Sequence, residues 1–426
     1  MSRITFIIRI IFCVIILFIL YILVAGHFYY VQIVRNSELY TKARRLYTSV
    51  KNQKGQRGRI FDVSGHLLVG NIPCADIIVD PKHCGDDLKC RRTAVKFSKI
   101  LGQPAADIYK SISTKKKGKL EIRYKVIERD VSLESAEKIR NVINEEKING
   151  IFIEEKYKRY YPKNELLSNI LGLTSSDDNG VKAINGIEKF FDKQLTPTKA
   201  VSSYERDRKG APLAYGRKNI MHERDGNDIF LTISEPIQVI MEEELEHLVE
   251  KYNPRAAYAI MADPFTGNVI ALAQRPTFNP NERKDITPEM WRDRYITDVF
   301  EPGSTMKGIS IAGALDYKVV TPSTRIDCEK GRWFYAGKLL RDSHPYDVLD
   351  ISEIVKYSSN IGTAKVALML GEKRLYQVLR RFGFGQKTGI PIQPEATGSF
   401  RKIENWDKLS ITRFPIGHGI SCSPMQ

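Results

Sequence analysis

Glu301-Pro302-Gly303-Ser304-Thr305-Met306-Lys307, continued by a small and apolar run to Leu315, is the stretch on which the reading of this 426-residue chain turns. Pro302-Gly303 breaks the chain, and the composition after it predicts a helix from Ser304 to Leu315. Ser304 then sits at a helix N-terminus, where backbone N–H groups without intrahelical partners favour developing negative charge. Lys307 lies at i+3, on the same face as the Ser304 hydroxyl. A serine hydroxyl is a poor nucleophile at neutral pH. A desolvated lysine with a lowered pKa can act as its base. Ser-x-x-Lys is weak on its own, because it occurs four times, at Ser113, Ser135, Ser304 and Ser399. Taken alone it reads first as a capping serine beside an exposed lysine.

Ser358-Ser359-Asn360 changes that reading. It is the only Ser-x-Asn in the chain, and it is expected in a loop before a helical run, Gly362–Leu370. Helix capping is the bland explanation. The functional one is a second hydroxyl and an amide brought against the Ser-Lys pair, with Ser358 relaying a proton to a leaving amine and Asn360 orienting a substrate amide.

Further out, Ile10–Ala25 is an unbroken apolar run, extended by Ile4–Ile8 across Arg9. About 20 such residues span a bilayer core, and Arg9 can snorkel to its edge. A cleaved signal peptide is the competing reading, though no small-x-small cleavage site follows. Basic residues lie on both sides of the span, so charge alone does not orient it. The net charge of +16 (66 Lys+Arg against 50 Asp+Glu) raises nucleic-acid binding. No recognised nucleic-acid motif accompanies it, and the membrane segment opposes it. Lys115-Lys116-Lys117-Gly118-Lys119 reads as an exposed loop. Six cysteines without a C-x-x-C pair argue against a zinc ribbon or a redox dithiol.

Residues 31–56 read as a polar helical stem. Arg59–Asp62, Ser64-Gly65 and Leu67–Val69 read as a hairpin, followed by a short strand Ala75–Val79. Helices are expected at 94–101, 105–111 and 133–148, the last capped by Asp130 or Ser132. A strand at 151–156 and a helix from Pro162 to Ile170 follow. Near residue 225 the character changes. A strand at 228–233 leads to a helix capped by Ser234 with Pro236 in its first turn. Two apolar runs, 257–261 and 269–273, flank Asp263-Pro264-Phe265-Thr266-Gly267, a hairpin turn with Gly at the positive-φ position.

With both motifs in place the chain resembles the penicillin-binding proteins and serine β-lactamases. Arg57-Gly58-Arg59-Ile60-Phe61-Asp62 with Gly65, Arg159-Tyr160-Tyr161-Pro162, Leu171-Gly172, and Asn185-Gly186-Ile187-Glu188 with Asp192 and Leu195 resemble the pedestal of class B penicillin-binding proteins. Asp263–Gly267 through Pro276 and Pro280 resembles their first transpeptidase hairpin. Thr297-Asp298 and Glu301 to Lys307 resemble the nucleophile region. Phe384-Gly385, Thr388-Gly389-Ile390 and Gly417-His418-Gly419-Ile420-Ser421 resemble later segments. The order is the family's along the whole chain, and the pedestal is more similar to the division type than to the elongation type.

The resemblance implies an α+β pedestal followed by an α/β, serine β-lactamase-like transpeptidase domain, an antiparallel sheet flanked by helices. It implies an anchor at 1–30, stem and pedestal at 31–222, and a transpeptidase domain at 223–426. It implies a single-pass protein of the cytoplasmic membrane with its bulk outside. The implied reaction is acyl transfer on peptidoglycan stem peptides ending in D-Ala-D-Ala, through Ser304, with Lys307, Ser358 and Asn360 as catalytic partners. Gly303, Thr305 and Ser359 are expected to contact substrate, and the Ser304 N–H to form half of the oxyanion hole. β-Lactams would trap the same serine. No metal or organic cofactor is implied. Expected partners are a glycosyltransferase and divisome membrane proteins.

There are departures. The family's third motif, Lys-Thr-Gly before a small hydroxyl residue, is expected on the order of a hundred residues beyond Asn360. Lys387-Thr388-Gly389 comes too early and is followed by Ile390. The sequence ends at Gln426, so the last strands of the sheet are expected to be missing, leaving an open edge. That reads as a fragment, an interrupted frame or half of a split protein. Alternatives are a catalytically inactive scaffold, or a β-lactam sensor or β-lactamase. Asp293-Arg294-Tyr295 replaces the usual Asn-Arg-Ala, so Tyr295 is expected to add bulk near the site. Asn169 stands where a histidine is common. Cys84 and Cys90 are close enough to pair, with buried thiols as the alternative.

Overall fold

The computed structural model describes residues 3–40, 48–53, 55–114, 116–117, 120–177, 180–197, 200–206, 212–218, 225–284 and 286–426. They fall into two compact units, Met1–Gln56 with Pro197–Gly226, and Arg57–Thr196 with Asn227–Gln426. In the first, the helix Arg3–Tyr29 continues into a wider turn, Tyr30–Val34. The stretch Val14–Val34 is long and apolar enough to cross a bilayer. It reaches beyond the run legible at 10–25 because the helix continues through Tyr29 into Tyr30–Val34. The expected helical stem is corrected in part. Residues 36–40 are helical, but Thr48–Gln53 is a strand, antiparallel to Ala200–Arg206, which in turn pairs with Pro212–Lys218. The β-branched Thr48 and Val50 favour that conformation. Residues 41–47 and Lys54 lie outside the described residues, as do Lys115, Gly118 and Lys119 of the lysine run. Lys116-Lys117 pairs with Leu120-Glu121.

The second unit begins with the expected hairpin. Ile60–Phe61 pairs with Leu67–Val69, and Asp62 closes the turn by accepting the N–H groups of Ser64 and His66. The short strand expected at 75–79 is instead the end of one long strand, Leu67–Val79. Pro73 is tolerated because at that position only the ladder with Ile151–Tyr160 is present. The ladder with Lys125–Ser132 starts at Cys74. Helices Asp87–Leu101, Ala105–Ser113 and Leu133–Glu145 cover this sheet, and Phe97, Ile108, Ile112 and Ile139 are fully buried beneath them. Ser132, not Asp130, caps the last of these helices by accepting the Ser135 N–H. Cys84 and Cys90 are buried thiols here, donating to the Asp80 and Cys84 carbonyls.

The helix expected from Pro162 is corrected to a series of turns ending in the short helix Ser168–Leu171. Leu167 takes a left-handed backbone (φ 59°), with its N–H held by the Glu242 carboxylate, and that interrupts helical progress.

The quoted pedestal residues converge on one buried ion cluster. Glu188, fully buried, accepts from Arg57 Nε at 2.7 Å and from Arg159 Nε at 2.5 Å. Arg159 also donates to Asn71, whose amide donates to the Arg57 carbonyl. Gly172 and Gly186 meet back to back. A Cβ on Gly172 (φ 83°) would fall 2.1 Å from the Asn185 carbonyl oxygen, so glycine is required there.

Beyond residue 227 the strand expected at 228–233 shrinks to Ile229–Phe230, parallel to Ile60–Phe61. Helix Glu235–Tyr252 follows, with Pro236 in its first turn. Ser234 stands at its N-cap position without a side-chain bond. Asp62 accepts the Glu235 N–H instead. This helix packs on the antiparallel hairpin of Ala257–Ala262 and Val269–Arg275, with Gly267 at φ 75° in the turn. Asp62, His66 and Glu235 lie close enough to hold an ion. The Asp62 oxygens, however, are already taken by three backbone N–H groups.

Candidate active site

Four helices build the site region: Thr305–Asp316, Ile351–Lys356, Asn360–Leu370 and Glu372–Arg381. The first packs against the others closely enough that a Cβ on Gly313 would fall 2.6 Å from Val378. Met306, Ile311 and Ala314 face the core, while Ser304 and Thr305 stay exposed at the N-terminal end.

The loop carrying Ser304 is held by the segment 417–422. The Gly303 N–H donates to the Gly417 carbonyl, Glu301 accepts the Gly419 N–H at 2.8 Å, and Phe300 bridges to Cys422. Gly303 (φ 60°) and Gly417 (φ 78°) approach so closely that a Cβ on Gly417 would overlap the Gly303 backbone. Thr305 donates its hydroxyl to the Pro302 carbonyl.

Lys307 is only 3% exposed. Its Nζ donates to the Ser358 Oγ at 2.7 Å and to the Ser358 carbonyl. Burial pushes the amine below the ordinary lysine pKa, while the nearby Asp342 carboxylate pulls it back up. Ser358 is exposed and has a left-handed backbone (φ 57°), unusual for a residue with a Cβ. Asn360 begins the helix rather than preceding it, and its Nδ2 donates to the Arg341 carbonyl at 2.8 Å.

Residues 257–426 match the penicillin binding protein transpeptidase domain, and residues 52–231 the penicillin-binding protein dimerisation domain. The chain belongs to the class B penicillin-binding proteins. Among curated relatives of this penicillin-binding protein, stage V sporulation protein D of Bacillus subtilis is 28% identical over 421 residues, 98% of this chain and 63% of that protein. The peptidoglycan D,D-transpeptidase FtsI of Escherichia coli K12 is 29% identical over 383 residues, 88% of this chain and 62% of that protein. The chain thus spans a little over three fifths of these relatives' length. Penicillin binding protein 2X from Streptococcus thermophilus shares the fold with a TM-score of 0.68 at 20% identity, over 88% of this chain and 57% of that one. A peptidoglycan synthetase from Bifidobacterium adolescentis does so with 0.63 at 21%, over 89% and 71%.

Within this penicillin-binding protein the structure joins Lys307 to Ser358 directly and places Ser304 one helical turn before Lys307. It corrects the expectation that Ser359 contacts substrate. Ser359 is fully buried, donates to Asp342 Oδ2 at 2.7 Å and caps the helix by accepting the Gly362 N–H. Tyr295 is likewise not bulk at the site but a fully buried core residue packed with Ile296 and Ile60. Asn169 is buried and donates to the Met290 carbonyl. Lys387-Thr388-Gly389 lies outside any strand, its Thr388 bound to the Glu395 carboxylate. Asp342 escaped the sequence reading because no motif surrounds it and the hairpin placing it is 16 or more residues upstream of Ser358.

Proposed function

We propose that this chain carries the acylation machinery of a peptidoglycan D,D-transpeptidase. Ser304 Oγ attacks the carbonyl of a terminal D-Ala-D-Ala and passes its proton to the neutral Lys307 amine. The forming oxyanion is met by the Ser304 N–H at the helix N-terminus. As the tetrahedral adduct collapses, the leaving D-Ala nitrogen takes a proton from Ser358 Oγ, which recovers one from Lys307. The ester on Ser304 is then resolved by an amine from a neighbouring stem peptide. β-Lactams enter by the same first step. Gly303 and Thr305 shape the entry to Ser304, and the Asn360 amide orients the substrate. The observation that carries this reading is the buried Lys307 amine bonded to Ser358 Oγ, one turn from an exposed Ser304.

The apolar N-terminal helix supports placement as a single-pass protein of the cytoplasmic membrane, with the remainder outside. The relatives' names, a stage V sporulation protein and a peptidoglycan D,D-transpeptidase, support a role in wall synthesis. The proposed role extends to septal work beside a glycosyltransferase and divisome membrane proteins, the partners that the family resemblance implies. The test is labelling of the membrane-extracted chain with fluorescent penicillin. Covalent label that disappears in Ser304→Ala is expected. Label that persists in that variant, or its absence from both proteins, would overturn the reading for this chain.

A further inference from the structure

The hairpin Arg332–Tyr335/Lys338–Arg341 has two unlike faces. Trp333 and Leu340 pair across it and pack with Ile361 and Ala364 of the helix Asn360–Leu370. Side chains alternate along a strand, so Arg332 and Phe334 share the outer face with Leu339 and Arg341. Arg332 stands directly opposite Arg341, and both are exposed. Like charges in that register destabilise a ladder, and an isolated two-stranded ribbon is marginal to begin with. Residues 332–341 include Lys338 as a further cation and no acid. The acids flanking them in sequence are engaged elsewhere. Asp327 accepts the Glu329 N–H, Glu329 pairs with Lys365, and Asp342 accepts the Ser359 hydroxyl and the Asn360 and Ile361 N–H groups. Among the described residues neither the Arg332 nor the Arg341 guanidinium has an ion pair or a side-chain hydrogen bond. Beside them the Phe334 ring is 72% exposed.

We propose that the outer face of this hairpin is a subsite for the stem peptide, in which Arg332 and Arg341 together hold the free carboxylate of an acidic residue that precedes the D-Ala-D-Ala end. The proposal rests on the acyl-transfer reading above. The Arg341 carbonyl accepts the Asn360 side-chain amide at 2.8 Å. A peptide oriented by Asn360 therefore passes the base of the hairpin, at the rung where the two arginines stand opposite each other. A carboxylate set between two guanidiniums accepts from both planar forks, and the repulsion across the rung gives way to two attractions. Phe334, two residues along the strand from Arg332, offers its exposed ring to the apolar part of the same peptide. A purely anionic polymer would satisfy the arginines and leave that ring in water. A peptide with one acidic side chain uses both.

The experiment measures binding of two pentapeptides, L-Ala-γ-D-Glu-L-Lys-D-Ala-D-Ala and the same peptide with its glutamyl α-carboxylate amidated. Each is titrated calorimetrically into the detergent-extracted full chain carrying Ser304→Ala, which binds without turnover. The free acid is expected to bind ~5-fold more tightly, the size of one exposed charge pair, and to lose that advantage in high salt. With Arg332→Gln and Arg341→Gln added, the two peptides are expected to bind alike. Equal affinities before those substitutions, binding of neither peptide, or an acid preference that survives both substitutions overturns the proposal. Polyglutamate that binds as tightly per carboxylate as the free-acid peptide describes a non-specific cationic patch and also overturns it. If the double substitution abolishes the cooperative melt, Arg332→Gln alone decides, since the carbonyl that holds Asn360 belongs to Arg341. The acid preference must then fall ~2-fold, as for partial loss of an exposed charge pair, and an undiminished preference overturns the proposal. Fluorescent-penicillin labelling of the chain with Ser304 intact tells the two failures apart. Labelling without an acid preference leaves acyl transfer standing and removes the subsite. An acid preference abolished by the arginine substitutions, in a chain that does not label, removes acyl transfer and supports the subsite.

Discussion

Asp293 offers a quantitative test of how this core treats charge. It is only 5% exposed, and its carboxylate accepts a single side-chain bond, from the Tyr295 hydroxyl at 3.3 Å. Burial pushes its pKa from 3.8 up to about 7, the tyrosine bond opposing the rise. A carboxyl whose folded pKa is raised binds more protons folded than unfolded between these two values. Stability therefore falls as pH rises from about 4 to about 7, and it is fully present only below the unfolded value. The shift of about 3 units, at ~1.4 kcal/mol per unit, corresponds to ~4 kcal/mol lost across that window. Asp293→Asn keeps the shape and cannot ionise. Its stability relative to wild type is expected to improve by up to ~4 kcal/mol between pH 4 and pH 8, because other titrating groups cancel in the difference. Urea unfolding of the two proteins at several pH values measures it. Tyr295→Phe removes the opposing bond and is expected to push the Asp293 transition further up. A wild-type-minus-variant difference that is flat with pH, or that slopes the other way, would refute the reasoning.

Two further perturbations address other parts of the molecule. Glu188→Gln leaves the Arg57 and Arg159 guanidiniums buried against a neutral partner and is expected to cost ~3–5 kcal/mol in urea unfolding. A loss under about 1 kcal/mol would show that the cluster relaxes or hydrates freely. Gly417→Ala places a Cβ 2.2 Å from the Gly303 carbonyl oxygen at a left-handed position. Displacing the Ser304 loop by about 1 Å is expected to slow penicillin labelling ~100-fold, and labelling at the wild-type rate would mean the loop is not held there.

What the sequence made legible were features whose signals are local. The hairpins at 60–69 and 257–275 carry a turn with Gly at positive φ between apolar runs, and both formed. The helix after Pro302-Gly303 formed from Thr305 to Asp316, within a residue of expectation. The misses have tertiary causes. The short strand expected at 75–79 is the end of a longer one, in which Pro73 passes because the ladder with Lys125–Ser132 starts only at Cys74. The helix expected after Pro162 yields to a turn tied down by Glu242, distant in sequence. Ser359 looked like a site residue from its motif. Asp342, which no pattern marks, draws it inward.

The same residues explain why the site tolerates a local conflict. A residue with a Cβ in the left-handed region costs about 1–2 kcal/mol, and Ser358 takes that conformation beside a buried lysine. Glycine would remove the backbone cost but also the hydroxyl that Lys307 bonds at 2.7 Å. The strain therefore stays where the hydroxyl is needed, and it is offset by bonds on the following turn, from Asp342, Ser359 and Arg341. Lys307 faces a parallel conflict. Burial alone lowers its pKa, favouring the neutral base, while the Asp342 carboxylate acts to raise it.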